Sequence, residues 1–168
     1  MPGGEWLTKS FTYAAENLAS GDPGAATVMA KMSELMFVET VRYYLARLPP
    51  EQTGWLAGLR DQAIGRALSM LHARVNHPWT ADELAAAVAM SRSAFAERFT
   101  QMIGVPPMRY LTNWRMQLAA GKLRDARMSI AQIAFDVGYE SEAAFSRAFR
   151  REMGQAPAAW RKQMQQPA

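Results

Sequence analysis

An internal repeat constrains this 168-residue chain more than any other feature. Residues 84–90 align with residues 133–139 at an offset of 49, and the positions that follow align at an offset of 50. The second copy therefore has one added residue, close to Glu140. The aligned positions beyond that point are Ser91, Phe95, Phe99, Gly104, Pro107 and Tyr110 in the first copy and Ser141, Phe145, Phe149, Gly154, Pro157 and Trp160 in the second. Each copy predicts a short helix, a tight turn, a second helix that ends at glycine, and a new helix that begins at proline.

The tight turn of each copy sets requirements on single residues. Ala85 and Ala134 place a small side chain where the two helices of a unit cross closely. Gly138 allows a positive φ angle in the second turn. Ala89 occupies the matching position in the first turn, so we expect that turn to differ or to be strained.

The second helix of each copy has one apolar face and one free face. Phenylalanines four residues apart turn one side toward a core, and Ser91 and Ser141 leave helix N-termini that can receive a phosphate. The free faces carry Arg92, Ser93, Ala96 and Glu97 in the first copy and Glu142, Ala143, Ser146 and Arg147 in the second. Such a face can enter the major groove of DNA. The alternative is a helical repeat without a ligand, and two copies with the same caps, turns and phenylalanine pairs favour DNA binding over it.

The other parts of the chain are also predicted to be helical, which makes the fold class all-α. Apolar periodicity predicts helices over 6–18, 25–48 and 61–75. Residues 51–58 are interpreted as a linker, in which Trp55 is an anchor packed on a neighbour.

Capping signals place the helices of the repeat region. Thr80 and Glu83 have the capping-box spacing, in which Thr80 is the N-cap and Glu83 reaches back to it. A longer helix is expected to begin at Pro107 and to end near Asp125. Ser129 caps the short helix of the second copy.

Charge divides the chain into two unequal parts. Residues 1–59 contain four Lys/Arg and six Asp/Glu, a net charge of −2, whereas residues 60–168 contain fifteen Lys/Arg and nine Asp/Glu, a net charge of +6. Thirteen of those fifteen basic residues are arginine, which binds phosphate and guanine through two parallel hydrogen bonds. The second part is therefore suited to nucleic acid, once a motif places the arginines.

The second copy carries the more specific motif. It reads Ile-Ala-Phe-Asp-Val-Gly-Tyr-Glu-Ser over 133–141 and Phe-Ser-Arg-Ala-Phe-Arg-Arg over 145–151, followed by Gly154 and Pro157. Residues 60–162 thereby resemble the AraC/XylS family of bacterial transcription activators. The resemblance implies a DNA-binding domain over 60–168, with helix-turn-helix units at about 80–104 and 129–154 in two three-helix lobes. The long helix over about 107–125 would join the lobes, and the two recognition helices would lie in successive major-groove segments about 34 Å apart.

The resemblance also implies which residues contact DNA. Base contacts would be made by Arg92, Ser93, Ala96 and Glu97 in the first lobe and by Glu142, Ala143, Ser146 and Arg147 in the second. Arg147 is the strongest candidate, because arginine suits O6 and N7 of guanine, and its alternative role is a phosphate contact. Backbone contacts are expected from Thr80, Ser91, Arg98, Ser141, Arg150 and Arg151. Double-stranded DNA and, through the family, RNA polymerase are the implied partners.

Residues 1–59 resemble the helical tail that follows a sensor domain in such regulators. No strand-rich barrel precedes them, so we expect the chain to be a fragment, a truncated gene or a shortened version. The predicted helix over 25–48 has two apolar stripes, of which one would cover 6–18 and the other would pair two subunits through Met32 and Met36. The alternative is that both stripes are covered within one chain.

Other functional classes find little support in the sequence. Cysteine is absent, which excludes disulfides, thiolate metal sites and a cysteine nucleophile. His72 and His77 do not share a helix face, and there is no glycine-rich phosphate loop or nucleophile elbow. We therefore expect no enzymatic activity, no cofactor and no metal. No apolar run reaches the length of a membrane span, so a cytoplasmic protein is expected. The rival function is a helical dimerising module that does not bind DNA.

Overall fold

The computed structural model describes residues 5, 8–10, 12–13, 16, 24–47, 49 and 53–164. Regular structure in these ranges is helical, which confirms the all-α class. The predicted helix over 6–18 and the side chain of Trp55 lie mostly or wholly outside the described residues. The chain divides into two compact units, Met1–Gln52 and Thr53–Ala168.

The first unit contains one long helix, α1 (Ala25–Arg47), close to the predicted 25–48. Its two apolar stripes differ in exposure. Met36 is 9% exposed, whereas Val28, Leu35 and Val38 are 42%, 50% and 50% exposed. The prediction that Met36 pairs two subunits is therefore wrong, because its side chain is buried within the first unit.

The second unit begins with a short helix, α2 (Trp55–Gly58), which packs against helices of the first lobe. Ala57 is buried, and a Cβ atom on Gly58 would lie 2.5 Å from Cδ1 of Ile103. Interpreting all of 51–58 as a linker was wrong, because close packing against α5 orders its last four residues.

The first lobe consists of α3 (Gln62–Ala73), α4 (Ala81–Ala87) and α5 (Arg92–Ile103). Asp61 caps α3, and its carboxylate accepts hydrogen bonds from the backbone nitrogens of Ala63 and Ile64. The core of this lobe is apolar and nearly solvent-free. It contains Ile64, Ala67, Leu68, Leu71, Trp79, Leu84, Ala85, Phe95, Phe99, Ile103 and Leu111.

One helix serves both lobes. The linker helix α6 (Pro107–Lys122) places Leu111 in the core of the first lobe. Further along the same helix, Met116 and Ala119 belong to the core of the second lobe, as does Leu123, which follows it. The predicted end near Asp125 is three residues too late, because Leu123 is already the C-cap.

The second lobe repeats the first. It consists of α7 (Ile130–Asp136), α8 (Glu142–Met153) and α9 (Pro157–Met164). Ser129 caps α7 in a full capping box with Gln132. The core residues are Met116, Ala119, Leu123, Ile133, Ala134, Val137, Phe145, Ala148 and Phe149.

The start of α4 differs from the predicted capping box. The Thr80 hydroxyl accepts a hydrogen bond from the backbone nitrogen of Glu83, as expected. The Glu83 carboxylate, however, lies 2.8 Å from Nε2 of His77. Glu83 contacts this imidazole in the preceding loop, and the structure shows no return bond to the backbone of Thr80.

Candidate nucleic-acid interface

The two helix-turn-helix units have the same hydrogen-bonded turn. The backbone nitrogen of Met90 donates to the carbonyl of Ala85, and that of Tyr139 donates to the carbonyl of Ala134, each over 2.9 Å. The central residue has a φ angle of +84° at Gly138. Ala89 takes the matching position with a φ angle of +56°, the one positive value among the described residues other than glycine. The first turn therefore keeps the hydrogen bond of the second, and it places an alanine in the left-handed region, which is disfavoured for residues other than glycine.

The inner faces of the two second helices are fixed by aromatic packing. The ring centroids of Phe95 and Phe99 lie 5.6 Å apart, and those of Phe145 and Phe149 lie 5.5 Å apart. All four phenylalanines have no exposed surface. Because the phenylalanine side of each helix is buried, the opposite side is the one left to solvent.

The opposite side of each helix carries the sequence-predicted contact residues. Ser91 and Ser141 cap the helices, and each hydroxyl accepts a hydrogen bond from the backbone nitrogen three residues later, over 3.3 and 3.2 Å. Ala96 and Ser146 are half-buried. The exposed members of the set are Arg92, Ser93, Glu97, Glu142, Ala143 and Arg147.

The two predicted contact arginines of the first lobe, Arg92 and Arg98, are paired with carboxylates. Arg92 lies 3.3 Å from Asp82, and Nε of Arg98 donates to Asp61 over 2.6 Å. The Asp61 side chain is only 7% exposed. Burial alone would raise the pKa of Asp61, but hydrogen bonds from Ile64, Arg98 and Ala63 and the charge of Arg98 outweigh it, so this pKa lies below its ordinary value. Arg98, predicted as a backbone contact, thus also secures the cap of α3.

Arginines of the second lobe are less engaged. Within the described ranges, no ion pair or hydrogen bond is formed by the side chains of Arg147 or Arg150, and both residues are exposed. Arg151 lies 3.0 Å from Glu152. Two guanidinium groups one turn apart on α8 are therefore open to an external anion or base edge.

His72 is held by aromatic and polar neighbours. Nε2 of His72 lies 2.8 Å from the Tyr110 hydroxyl, and its ring lies 4.5 Å from that of Trp114. Burial lowers the pKa of His72, which favours the neutral imidazole. These side chains line a cavity of about 550 Å³ together with Asn113 and Gln117. Among the described residues, no group of three or more His, Asp or Glu side chains could hold a metal ion.

Sequence reasoning missed one residue that joins the lobes. Arg115 of α6 donates from Nε to the carbonyl of Val75 over 2.9 Å and from Nη2 to the carbonyl of His77 over 2.8 Å. The signal was present, because Arg115 lies four residues from Leu111 and four from Ala119 on an otherwise apolar stripe. A charged residue in such a stripe requires polar partners.

Two helix-turn-helix units joined by one helix define the class of protein: a double helix-turn-helix fold of the kind that binds duplex DNA. Comparison with protein families agrees, since residues 84–163 match the model described as a helix-turn-helix domain. Residues 1–46 match the model described as cupin. Within the described ranges, no helix has the length and apolar character that crossing a membrane requires.

Individual relatives point to one family. A putative AraC-like transcription regulator of Streptomyces antibioticus is 44% identical over 83% of this chain and 46% of its own length. An AraC-type regulator of Chromobacterium violaceum has a solved structure that covers 65% of this chain and 97% of its own, with 28% identity and a TM-score of 0.59. The DNA-binding domain of AdpA, solved in complex with a target DNA, covers 59% of this chain and 89% of its own, with 29% identity and a TM-score of 0.55.

The chain belongs to the AraC family of transcription regulators, as the motif over 133–157 predicted. It spans about half the length of the curated relatives that it matches. The helix-turn-helix domain match over residues 84–163 lies in the second unit, where both lobes lie.

Proposed function

We propose that this chain binds a specific sequence of double-stranded DNA and regulates transcription from the promoter that contains it. The observation that carries the proposal is the outer face of α8. Arg147 and Arg150 are exposed there, and no described carboxylate neutralises either of them. A relative of the same fold, the DNA-binding domain of AdpA, was solved with its target DNA.

The two lobes contribute differently to this binding. In the second lobe, Arg147 reads a guanine, while Arg150 and Arg151 contact phosphates together with the N-terminus of α8 at Ser141. The bases next to that guanine are contacted by Glu142, Ala143 and Ser146.

The first lobe reads DNA with less positive charge. Arg92, Ser93, Ala96 and Glu97 face the bases, and Thr80 and Ser91 lie at helix N-termini that face phosphates. Arg98 contributes to phosphate binding only through the N–H groups that its ion pair with Asp61 leaves available.

The test is selection of bound duplexes from a random pool by the full chain, followed by affinity measurement. We expect the selected duplex to bind about a thousandfold or more tighter than a scrambled one. Affinity for both should fall steeply between about 50 and 200 mM salt, because bound arginines release counterions. No binding at low salt, or equal affinity for both duplexes, would contradict the proposal.

A matched pair of variants assigns the binding to α8. The double variant Arg147→Ala and Arg150→Ala should lose most of the affinity for the selected duplex. Arg66→Ala together with Arg124→Ala also removes two exposed arginines, both outside α8, and should change affinity little. Equal losses in both variants would assign binding to net charge rather than to this helix.

A second function, self-association, is favoured by the exposed stripe on α1. Val28, Leu35 and Val38 are all more than 40% exposed on one helix, and contiguous exposed apolar surface is typical of an interface. We propose that residues 25–48 pair two copies of the chain. The rival reading, a dimerising module without DNA binding, predicts self-association together with no binding in the duplex selection.

RNA polymerase and a cytoplasmic location are the finer parts of the proposal. Both rest on membership in a family of transcription regulators, because a regulator must meet the bacterial promoter and the enzyme that transcribes it. The residues 1–46 that match the cupin family would belong to a sensor or dimerisation domain.

A further inference from the structure

Arg115 lies at the point where the linker helix passes from one core to the other. Leu111, four residues earlier, is buried in the first lobe, and Ala119, four residues later, is buried in the second. Each lobe thus has its own core on its own half of α6. Beyond this shared helix, a contact that crosses between the lobes restrains how one is turned relative to the other.

Toward the first lobe, the guanidinium group of Arg115 is hydrogen-bonded to the loop between α3 and α4. It donates to the carbonyls of Val75 and His77 over 2.9 and 2.8 Å. That loop is itself well anchored, since Trp79 is 3% exposed and its indole nitrogen donates to the carbonyl of Arg74. Arg115 therefore binds a fixed backbone.

Toward the second lobe, the same guanidinium group meets the helix-turn-helix turn. It lies 5.9 Å from the ring centroid of Tyr139, within cation–π range. A Cβ atom on Gly138 would lie 2.7 Å from Nη2 of Arg115 and 2.9 Å from Cα of Asn76. The turn of the second lobe is thus pressed against both Arg115 and the loop of the first lobe.

A second tie joins the linker helix to α8. Nη2 of Arg109, in the first turn of α6, lies 2.9 Å from a carboxylate oxygen of Glu152. The Glu152 side chain is 8% exposed. The helix that carries Arg147 is therefore held to the half of α6 that packs on the first lobe, and this restrains the same angle as Arg115.

We propose that Arg115 is a positioning residue that locks the two lobes in one relative orientation and so sets the spacing of the two DNA half-sites that the protein accepts. The inference about spacing rests on the proposed function, while the inference about orientation does not. Lysine replaces Arg115 only in part, because a single ammonium group does not present the planar fork that reaches two carbonyls.

The orientation is tested without DNA. Because the chain has no cysteine, spin labels can be attached to Gln101→Cys in α5 and Ala159→Cys in α9, both exposed positions. Pulsed electron resonance then gives the distribution of distances between the lobes. We expect one narrow peak for the unmodified arginine, at least a twofold broader one for Arg115→Gln, and an intermediate width for Arg115→Lys. Arg124→Gln, an exposed arginine just beyond the same helix, is the control and should leave the peak unchanged.

An unchanged distribution in Arg115→Gln would overturn the proposal. Circular dichroism on the same samples shows whether the variant is folded. If Arg115→Gln does not fold, Arg115→Lys decides the question, because it keeps the charge and the aliphatic stem. In that case a peak as narrow as that of the unmodified chain would overturn the proposal.

The spacing is tested on a selected duplex whose half-sites are moved apart or together by one base pair, which turns them by about 34°. The unmodified chain should lose about tenfold or more in affinity at the altered spacings. Arg115→Gln should bind the best spacing more weakly and lose clearly less on the change. An equal loss at every spacing would overturn the spacing inference. Failure of the unmodified chain to bind any duplex would instead contradict the proposed function, and the distance measurement would still judge the orientation.

Discussion

At the scale of single residues, Arg147 and Arg150 have the same charge and exposure but are predicted to do different work. Arg147→Ala should cost about 1–3 kcal/mol on the selected duplex and relax the preference at one base pair, because it removes a bidentate contact to guanine. Arg150→Ala should weaken all duplexes alike and lower the salt slope by about one unit. Affinities on selected and scrambled duplexes at several salt concentrations measure both effects.

The prediction depends on the difference between Arg147→Ala and Arg150→Ala in their loss of affinity for the two duplexes. Glu97→Ala serves as the opposite-sign control, since removal of a negative charge near phosphates should tighten binding to the scrambled duplex. If Arg147→Ala loses affinity equally on both duplexes, Arg147 contacts phosphate and reads no base.

The Asp61 carboxylate is expected to make the free energy of unfolding depend on pH. Its carboxylate accepts two backbone hydrogen bonds at the start of α3 and the hydrogen bond of Arg98. Asp61→Asn should lower the free energy of unfolding at pH 7 by about 1–3 kcal/mol, because Arg98 loses a charged acceptor beside a largely buried group. Urea denaturation measures the change.

The pH dependence of that effect follows from the lowered pKa of Asp61. A group with a pKa lowered on folding stabilises the native state above its unfolded value, about 3.9, and this stabilisation is lost as pH falls through the folded pKa. The difference between the unmodified chain and Asp61→Asn should therefore shrink at acidic pH. Asp125→Asn, which breaks an exposed ion pair with Arg127, should change stability little at either pH. A constant Asp61→Asn effect down to pH 2 would show that the charge is not its cause.

At the scale of elements, the two helix-turn-helix turns have different residues at the same position, Ala89 in the first and Gly138 in the second. Gly138→Ala should destabilise the protein by about 2 kcal/mol or more, because it adds left-handed strain and a Cβ atom 2.9 Å from the backbone of Asn76. Ala89→Gly removes the strain of a φ angle of +56° and should stabilise by up to about 1 kcal/mol after the entropy of the unfolded chain is counted. Thermal unfolding of both variants measures the two changes in stability. A loss of stability in Ala89→Gly would disprove the strain.

The linker helix shows why elements in this fold cannot be understood one at a time. Its hydrophobic residues serve two cores, and its one partly buried guanidinium group, that of Arg115, contacts both lobes. Burial lowers the pKa of Arg115 from its ordinary value, but arginine remains charged at any physiological pH. The lock between the lobes is therefore expected to be insensitive to pH.

At the scale of the whole molecule, oligomeric state is the property that the outward stripe of α1 predicts. Leu35→Glu together with Val38→Glu should convert a dimer to a monomer, because each change puts a charge where an apolar contact would be. Ser33→Glu, at an exposed polar position of the same helix, is the control and should leave the dimer intact. Sedimentation equilibrium at several concentrations gives the result, and a monomeric unmodified chain at high concentration would refute the dimer.

The prediction that Met32 and Met36 pair two subunits illustrates the limit of periodicity. Both stripes of α1 are apolar and both have helical spacing, so the sequence alone ranks neither as the outer one. Met36 is 9% exposed and Leu35 is 50% exposed. Only the packing around α1 distinguishes them.

The sequence by itself determined the helices of the repeat and the family, because the relevant signals are local or repeated. Helix caps at Ser91, Ser129 and Ser141 depend on hydrogen bonds within a few residues, and the phenylalanine pairs on spacing along one helix. The repeat then disclosed two equivalent units before any contact was known. The expectation of a differing or strained turn at Ala89 followed from the comparison of those units.

Only the tertiary structure decided which arginines have hydrogen-bond or ion-pair partners and which residue joins the lobes. Arg98 on α5 and Arg147 on α8 lie at nearly equivalent positions of the repeat. Arg98 is paired with Asp61, 37 residues away, whereas Arg147 has no described partner. Arg115 reaches carbonyls 38 and 40 residues away. Such pairings depend on where distant segments meet. A charged residue in an apolar stripe, such as Arg115, indicates that polar partners exist, but the sequence does not identify them.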